Sequence, residues 1–292
     1  MPEAFRYLKP EDIRRIRNFE FAAKAMVEGY LAGRHRSRHR GSSIEFHEFR
    51  PYSPGDDPAL IDWRVFARSD RYYLKTFEQE TNMECHLLLD SSASMGFKHG
   101  AALSKLEFAS FFAACLAWLV VHRNDRVSLH TFDTDLRTSL PAGGTRRHLH
   151  NILHALEENR PGRATSLSVA LQRCRRLLRR KGTLVILSDF FDEPTDIFHA
   201  LNPWLHRGFR IHLFQILDPA ELDLPGQALA RFADMETGRH LTLHPPTVRE
   251  AWKTALGEHI RVLRRMAVSR NVDHALAVTD TSYHSLFDRL AE

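Results

Sequence analysis

Asp90, Ser92 and Ser94 stand at alternate positions directly after an apolar run, Cys85 to Leu89, and a second run, Thr183 to Leu187, ends on Ser188 and Asp189. Carboxylates and hydroxyls without cysteine or histidine are hard oxygen donors. They suit Mg2+, or a similar ion such as Mn2+ or Ca2+, and Mg2+ takes an octahedral shell at about 2.0 to 2.1 Å. The alternation lets one turning loop aim Asp90, Ser92 and Ser94 inward while Ser91 and Ala93 point away, and Gly96 lets the backbone leave the turn. No hydrolytic nucleophile or nucleotide cradle accompanies them. The chain has no Gly-x-Gly-x-x-Gly, P-loop, Gly-x-Ser-x-Gly or His-Glu-x-x-His.

Donors so far apart in sequence meet only if the chain sets them on neighbouring strand ends. After about residue 82, strands and helices alternate. Strands are expected at Cys85–Leu89, Arg126–Phe132, Arg137–Leu140, Thr183–Leu187 and Arg210–Leu217, with a sixth at Leu241–His244. Helices are expected from the Ser104–Glu107 capping box to about His122, over 147–158, over 167–180, over 196–206, and from a cap at Thr247–Glu250 to about Ser269. Right-handed crossovers then place helices on both faces of a mainly parallel sheet, an α/β architecture. In such sheets ligands sit beyond the strand carboxyl ends where the winding reverses, which puts Asp90 beside Asp189.

Residues 1–82 read differently. Pro10 to Ala32 carries apolar residues at helical steps, Arg34 to Arg40 is a basic, glycine-bounded loop, and Ser43–Phe49 and Arg71–Phe77 are rich in strand formers. The predicted division is therefore a small α+β segment over 1–82 and an α/β domain over 83–292.

Bulk composition narrows the class. With 292 residues, 43% hydrophobic and 26% charged, the chain can bury a real core. Its most apolar stretch, Phe108 to Val121, is closed by Glu107 and by His122-Arg123 and reads as a buried helix. Acidic residues early in the chain argue against a leader, and Cys85, Cys115 and Cys174 lie in apolar segments as buried thiols, so a cytoplasmic protein is expected. Asp133 and Asp135 are read as a solvated turn, Asp192 and Glu193 as the start of the next helix.

Asp90-x-Ser92-x-Ser94 after an apolar strand resembles the opening of the metal-ion-dependent adhesion site of von Willebrand factor A domains. The resemblance implies that Thr165, heading a helix, and Asp189 complete the set. It also implies that Ser92, Ser94 and Thr165 touch the ion, that the aspartates act through water, and that a partner protein's carboxylate takes a remaining position. Arg50 to Asp57, with Ile61-Asp62-Trp63 and Ala67-Arg68, is similar to the signature of the domain-of-unknown-function 58 family, across roughly residues 34 to 220. Members are bacterial proteins with an A-like domain, associated with MoxR-type AAA+ ATPases. The chain departs from the A-domain pattern at Phe190, where many A domains place glycine.

The expectation is a non-enzymatic, metal-dependent protein-binding adaptor acting with an AAA+ partner, with no nucleic acid bound and no membrane insertion. Two alternatives stand beside it. One is a metal-dependent phosphohydrolase built on Asp90 and Asp189. The other is a nucleic-acid binder acting through Arg34 to Arg40, a loop that lacks interleaved aromatics.

Overall fold

The computed structural model describes residues 22–28, 50–51, 63–74, 84–162, 167–175, 177–178 and 180–291. Thr165, the basic loop over 34–40 and the turn over 54–57 lie outside the described residues. The chain forms two compact units, Leu31–Thr81 and Met1–Tyr30 with Asn82–Glu292. The described residues 22–28 belong to the large unit. Their physical reason is apolar: Ala22, Ala23, Met26 and Val27 of the helical stretch 22–28 are buried, and the Cys115 thiol donates to the Ala23 carbonyl at 3.9 Å. In the small unit, Arg50–Pro51 pairs antiparallel with Tyr73–Leu74, and Phe66 of the helix Trp63–Ser69 stacks on Tyr72 with ring centroids 4.5 Å apart.

The large unit is built on six strands: β1 (Glu84–Asp90), β2 (Arg126–Phe132), β3 (Leu136–Gly143), β4 (Thr183–Ser188), β5 (Arg210–Leu217) and β6 (Asp273–Val278). Their spatial order is β6-β5-β4-β1-β2-β3, parallel throughout except for β2 with β3. Winding runs outward from β1 in one direction through β2 and β3, and in the other through β4, β5 and β6. The reversal therefore falls between β1 and β4, the strands that carry Asp90 and precede Asp189. Leu87, Leu88 and Leu89 of β1 are all fully buried, as a strand covered on both faces requires.

Alternate strand residues feed two cores. Leu88, Leu184, Ile186, Ile211 and Leu213 pack with helices α3 (Leu167–Cys174), α4 (Pro194–His206) and α5 (Pro245–Val268). On the opposite face lies α1 (Lys105–His122), packed against α2 (Arg146–Glu157); Phe112 of α1 meets Phe214 edge-on at 5.0 Å and Phe108 stacks on Tyr283 at 4.4 Å. Its capping box is formed: the Ser104 N–H donates to Glu107 Oε2 at 2.7 Å and the Glu107 N–H to Ser104 Oγ at 3.2 Å. Among the described residues, α1 alone is long and apolar enough to cross a bilayer, and 78% of it is buried in this fold.

Three expected elements are different. The sixth sheet position belongs to Asp273–Val278, while His240–Leu243 pairs with Ala230–Ala233 in a separate antiparallel hairpin. A strand of the doubly wound sheet needs apolar cover, and His240–Leu243 is nearly all exposed. The helix expected over 167–180 stops at Cys174, whose carbonyl accepts from both Leu177 and Leu178, leaving Leu177 43% exposed. Arginines at 175, 176, 179 and 180 would stack like charges on a continued helix. Finally, α5 begins at Pro245 rather than at a Thr247 cap, and the Thr247 hydroxyl donates back to the His244 carbonyl at 2.7 Å.

Buried histidines make the sheet acid-sensitive. Burial holds His130 and His212 down to about 4, with His86 adding to the effect on His130, while Asp273 partly counters it on His212. Both are only 2% exposed. The unfolded chain takes up these protons below about pH 6.5, whereas the native state refuses them until about pH 4. Stability is thus complete above that window and falls as pH drops through it, with a limiting slope of about 1.4 kcal/mol per pH unit for each histidine. Urea midpoints measured from pH 7.5 to pH 4.5 are expected to decline, and His130→Gln to flatten the curve. A curve left unchanged by His130→Gln would show that the His130 ring is not buried neutral.

Candidate metal centre at the sheet switch point

Asp90 closes β1 with no solvent exposure, and Asp189 follows β4 at 2% exposure. The Ser92 N–H donates to Asp90 Oδ1 at 2.9 Å and the Ser188 hydroxyl to Asp90 Oδ2 at 2.6 Å. These bonds tie the first loop to the end of the neighbouring strand. Burial, followed by the charge of Asp189, pushes the Asp90 carboxyl up to about 7, against the pull of Ser188 and Ser92. The Ser92 and Ser94 hydroxyl oxygens are 3.0 Å apart. Ser92 is buried and Ser94 is half-buried, so the pair has an inner and an outer member.

Ser91 is turned to another task. Its N–H donates to the Phe132 carbonyl at 2.7 Å, its carbonyl accepts from Gly162 at 2.7 Å, and its hydroxyl accepts from Asn159 Nδ2 at 2.9 Å. Gly96 is needed for space: a Cβ there would lie 2.9 Å from the Pro161 ring. Asp133 is not the solvated turn residue expected, since it is 8% exposed and its Oδ1 accepts the Asp135 N–H at 3.0 Å. Asp135 matches the expectation and pairs at the surface with Arg173. Asp192 does not begin α4; its carboxylate instead accepts the Leu167 N–H at 3.0 Å, anchoring the start of α3 to the end of β4.

Sequence reasoning missed Lys105. Its ammonium is fully buried and donates to Asp189 Oδ2 at 2.8 Å and to Glu221 Oε1 at 2.7 Å. Burial works to strip the proton from Lys105, but Asp189 and Glu221 outweigh it and hold the group above its ordinary value. Glu221 comes from the short helix Pro219–Leu222, whose cap Asp218 also accepts the N–H groups of His99 at 3.1 Å and Gly100 at 2.8 Å. A signal was present in the sequence: a lysine in the first turn of a helix opposes the macrodipole and calls for a compensating partner.

Phe190 occupies the position where A domains often carry glycine, and it does so with φ +54°, in the left-handed region. Such a conformation costs a non-glycine residue about 1 to 2 kcal/mol. The ring offsets this by filling the core on the α3–α4–α5 face at 1% exposure. Its N–H donates to Ser188 Oγ at 3.1 Å, and its carbonyl accepts from His259 Nε2 at 2.7 Å. The backbone geometry that glycine would supply is thus reached with phenylalanine.

These residues suit a divalent cation. Two ligands at right angles on an ion at about 2.1 Å are about 3.0 Å apart, the separation found between the two serine hydroxyls. The Ser92 N–H bonds Asp90, whose carboxyl feels the charge of Asp189, and Asp189 in turn shares the Lys105 ammonium with Glu221. No group of three His, Cys, Asp or Glu side chains converges to hold a metal among the described residues, so hydroxyls must supply much of any shell here.

A model for the family described as "Protein of unknown function DUF58" matches residues 48–262. This chain belongs to that family. Uncharacterised proteins of Mycobacterium tuberculosis H37Rv and Mycobacterium bovis are 29% identical to this DUF58 protein over 249 residues, covering 84% of it and 77% of each relative. An aerotolerance-related membrane protein from Bacteroides fragilis NCTC 9343, solved with multiple mutations to serines, shares the fold. The TM-score is 0.50 at 18% identity, over 71% of this chain and 97% of that one. A von Willebrand factor type A structure from Catenulispora acidiphila aligns with TM-score 0.41 and 10% identity, over 72% of this chain and 41% of that one. The DUF58 protein is α/β, with a mainly parallel six-stranded sheet and helices on both faces.

Proposed function

We propose that this protein is a non-enzymatic, metal-assisted adaptor of the cytoplasm that grips a partner protein through an acidic side chain. Ser92, Ser94 and, by family resemblance, Thr165 would hold one divalent ion, Mg2+ or in its place Mn2+ or Ca2+, with Asp90 and Asp189 balancing its charge. When bound, the ion supplies a Lewis-acidic position for an Asp or Glu of the partner. The observation that carries this reading is the oxygen set at the switch point, two serine hydroxyls 3.0 Å apart beside two buried carboxylates.

The chain's own residues then have distinct tasks. Ser188 and the Ser92 N–H fix the Asp90 carboxylate, so that it cannot swing to meet the partner. Ser94 is the half-buried member that faces the approach. Phe191 and Met235, 43% and 44% exposed, lie beside the centre, Phe191 over the Lys105 ammonium at 5.2 Å and Met235 close to Gly96. They offer apolar contact around a charged anchor, the combination by which compact interfaces gain affinity. A MoxR-type AAA+ ATPase is the partner we propose, on the strength of the family resemblance.

Affinity purification of the wild type beside Asp90→Ala, each with Mg2+ and with EDTA, tests the reading. An AAA+ ATPase is expected with the wild type in Mg2+ and is expected to drop about tenfold or more in the other three samples. Equal recovery in all four would overturn it, as would phosphoester turnover that vanishes with Asp90→Ala.

A further inference from the structure

We infer that Lys105 is a built-in counter-cation that occupies one oxygen of Asp189 and thereby sets how tightly the centre holds its divalent ion. The inference rests on the metal reading above and adds a residue that the motif does not contain. Its ammonium has no solvent exposure and two carboxylate partners, Asp189 Oδ2 at 2.8 Å and Glu221 Oε1 at 2.7 Å. An ammonium bonded to Asp189 Oδ2 uses one of that oxygen's lone pairs and neutralises part of its charge, which weakens it as a donor to an ion. Asp189 is left to act chiefly through its other oxygen, and its backbone is held too, since Gln215 Nε2 donates to the Asp189 carbonyl at 3.0 Å.

Lys105 cannot leave easily. It sits on the first turn of α1, its stem is enclosed, and Phe191 covers the ammonium at 5.2 Å from the ring centroid. Glu221 therefore works as the second hand on the lysine. Its own place is fixed because Glu221 Oε2 accepts the Asp218 N–H at 2.8 Å and its carbonyl accepts Trp252 Nε1 at 2.6 Å. The more firmly Glu221 shares the ammonium, the less of its charge falls on Asp189. The consequence is a centre with moderate affinity for the ion alone, completed when a partner carboxylate adds negative charge.

Mn2+ titration followed by electron paramagnetic resonance, with Mg2+ competition, reads the affinity directly on the full chain. Lys105→Met is expected to bind Mn2+ about tenfold more tightly than the wild type and Glu221→Gln about tenfold more weakly. A simple through-space charge would give the same signs, so the deciding measurement is a cycle. In an Asp189→Asn background Lys105→Met is expected to change affinity by less than about twofold. A tenfold effect that persists without the Asp189 carboxylate overturns the inference, as does an unchanged affinity in Lys105→Met. Should Lys105→Met fail to fold, Glu221→Gln alone, with and without Asp189→Asn, carries the same test. A wild type that binds no Mn2+ at millimolar concentration removes the metal reading itself, which is a different failure.

Discussion

Asp90→Asn is expected to abolish divalent-ion binding and, in metal-free buffer, to make the protein more stable. The two effects have one cause. Asp90 is a buried carboxylate whose pKa is raised from 3.8 to about 7 by burial and by Asp189. Between those values the native state keeps a proton that the unfolded chain has released, so native stability falls as pH rises, and the cost is complete above pH 7. That cost is of the order of 4 kcal/mol, at about 1.4 kcal/mol per pKa unit. Asparagine removes the charge and keeps the size. Its amide oxygen can still accept from Ser92, and the Ser188 hydroxyl can turn to accept from its nitrogen. The stabilisation should be largest at pH 8 and fade toward pH 4, opposite in sign to the histidine effect.

With Mg2+ present the comparison reverses, because the wild type gains binding free energy that the variant has lost, an affinity loss of about 100-fold or more. Thermal unfolding of both proteins at pH 8, with Mg2+ and with EDTA, is the measurement. A variant less stable than the wild type in EDTA would mean that Asp90 is a structural acceptor and not a charge held ready for a cation. Residues kept at a cost to stability are the usual mark of a working site.

How far the sequence foretold this site follows from the range of each interaction. Asp90-x-Ser92-x-Ser94 was legible because its geometry is local: three alternate residues leaving one strand. The placing of Asp189 beside it was legible because winding direction alone makes β1 and β4 neighbours. Lys105 was not, since its partners lie 84 and 116 residues away and nothing local distinguishes it from a surface lysine except its conflict with the helix dipole. Asp192 was misread for a related reason. An acidic residue before Pro194 has the form of a helix start, yet its carboxylate spends its bonding on Leu167, 25 residues back. The strand expected at Leu241–His244 failed on pairing. Alternation shows that a segment is extended, but only burial on its faces decides whether it enters the main sheet or pairs with a near neighbour. The true sixth strand, Asp273–Val278, was not among the expected strands, because its pairing with β5 is set by the crossover helix α5.

The largest loss of stability is expected from Gly182→Ala, far from the motif. A Cβ at residue 182 would lie 2.0 Å from the Glu84 carbonyl oxygen and 2.9 Å from its carbon. Both are backbone atoms of β1, so no side chain can rotate away; β4 itself would have to move. The Gly182 carbonyl also accepts the Arg210 N–H at 3.1 Å, which couples the displacement to β5. A loss above about 4 kcal/mol is expected, a large part of the roughly 5 to 15 kcal/mol that holds a domain together. Gly257→Ala is the control. It lies within α5, no atom stands within 4 Å of the added Cβ, and a gain of about 0.5 to 1 kcal/mol is expected. Urea midpoints of the two variants against the wild type decide the matter, and a native-like midpoint for Gly182→Ala would mean that β1 and β4 do not meet so closely. The same contact bears on function. Gly182 and Glu84 hold the near ends of the two strands whose far ends carry Asp90 and Asp189. A strand pair forced apart at one end cannot keep two carboxylates in register at the other, so any Gly182→Ala protein that survives refolding should also bind Mn2+ poorly.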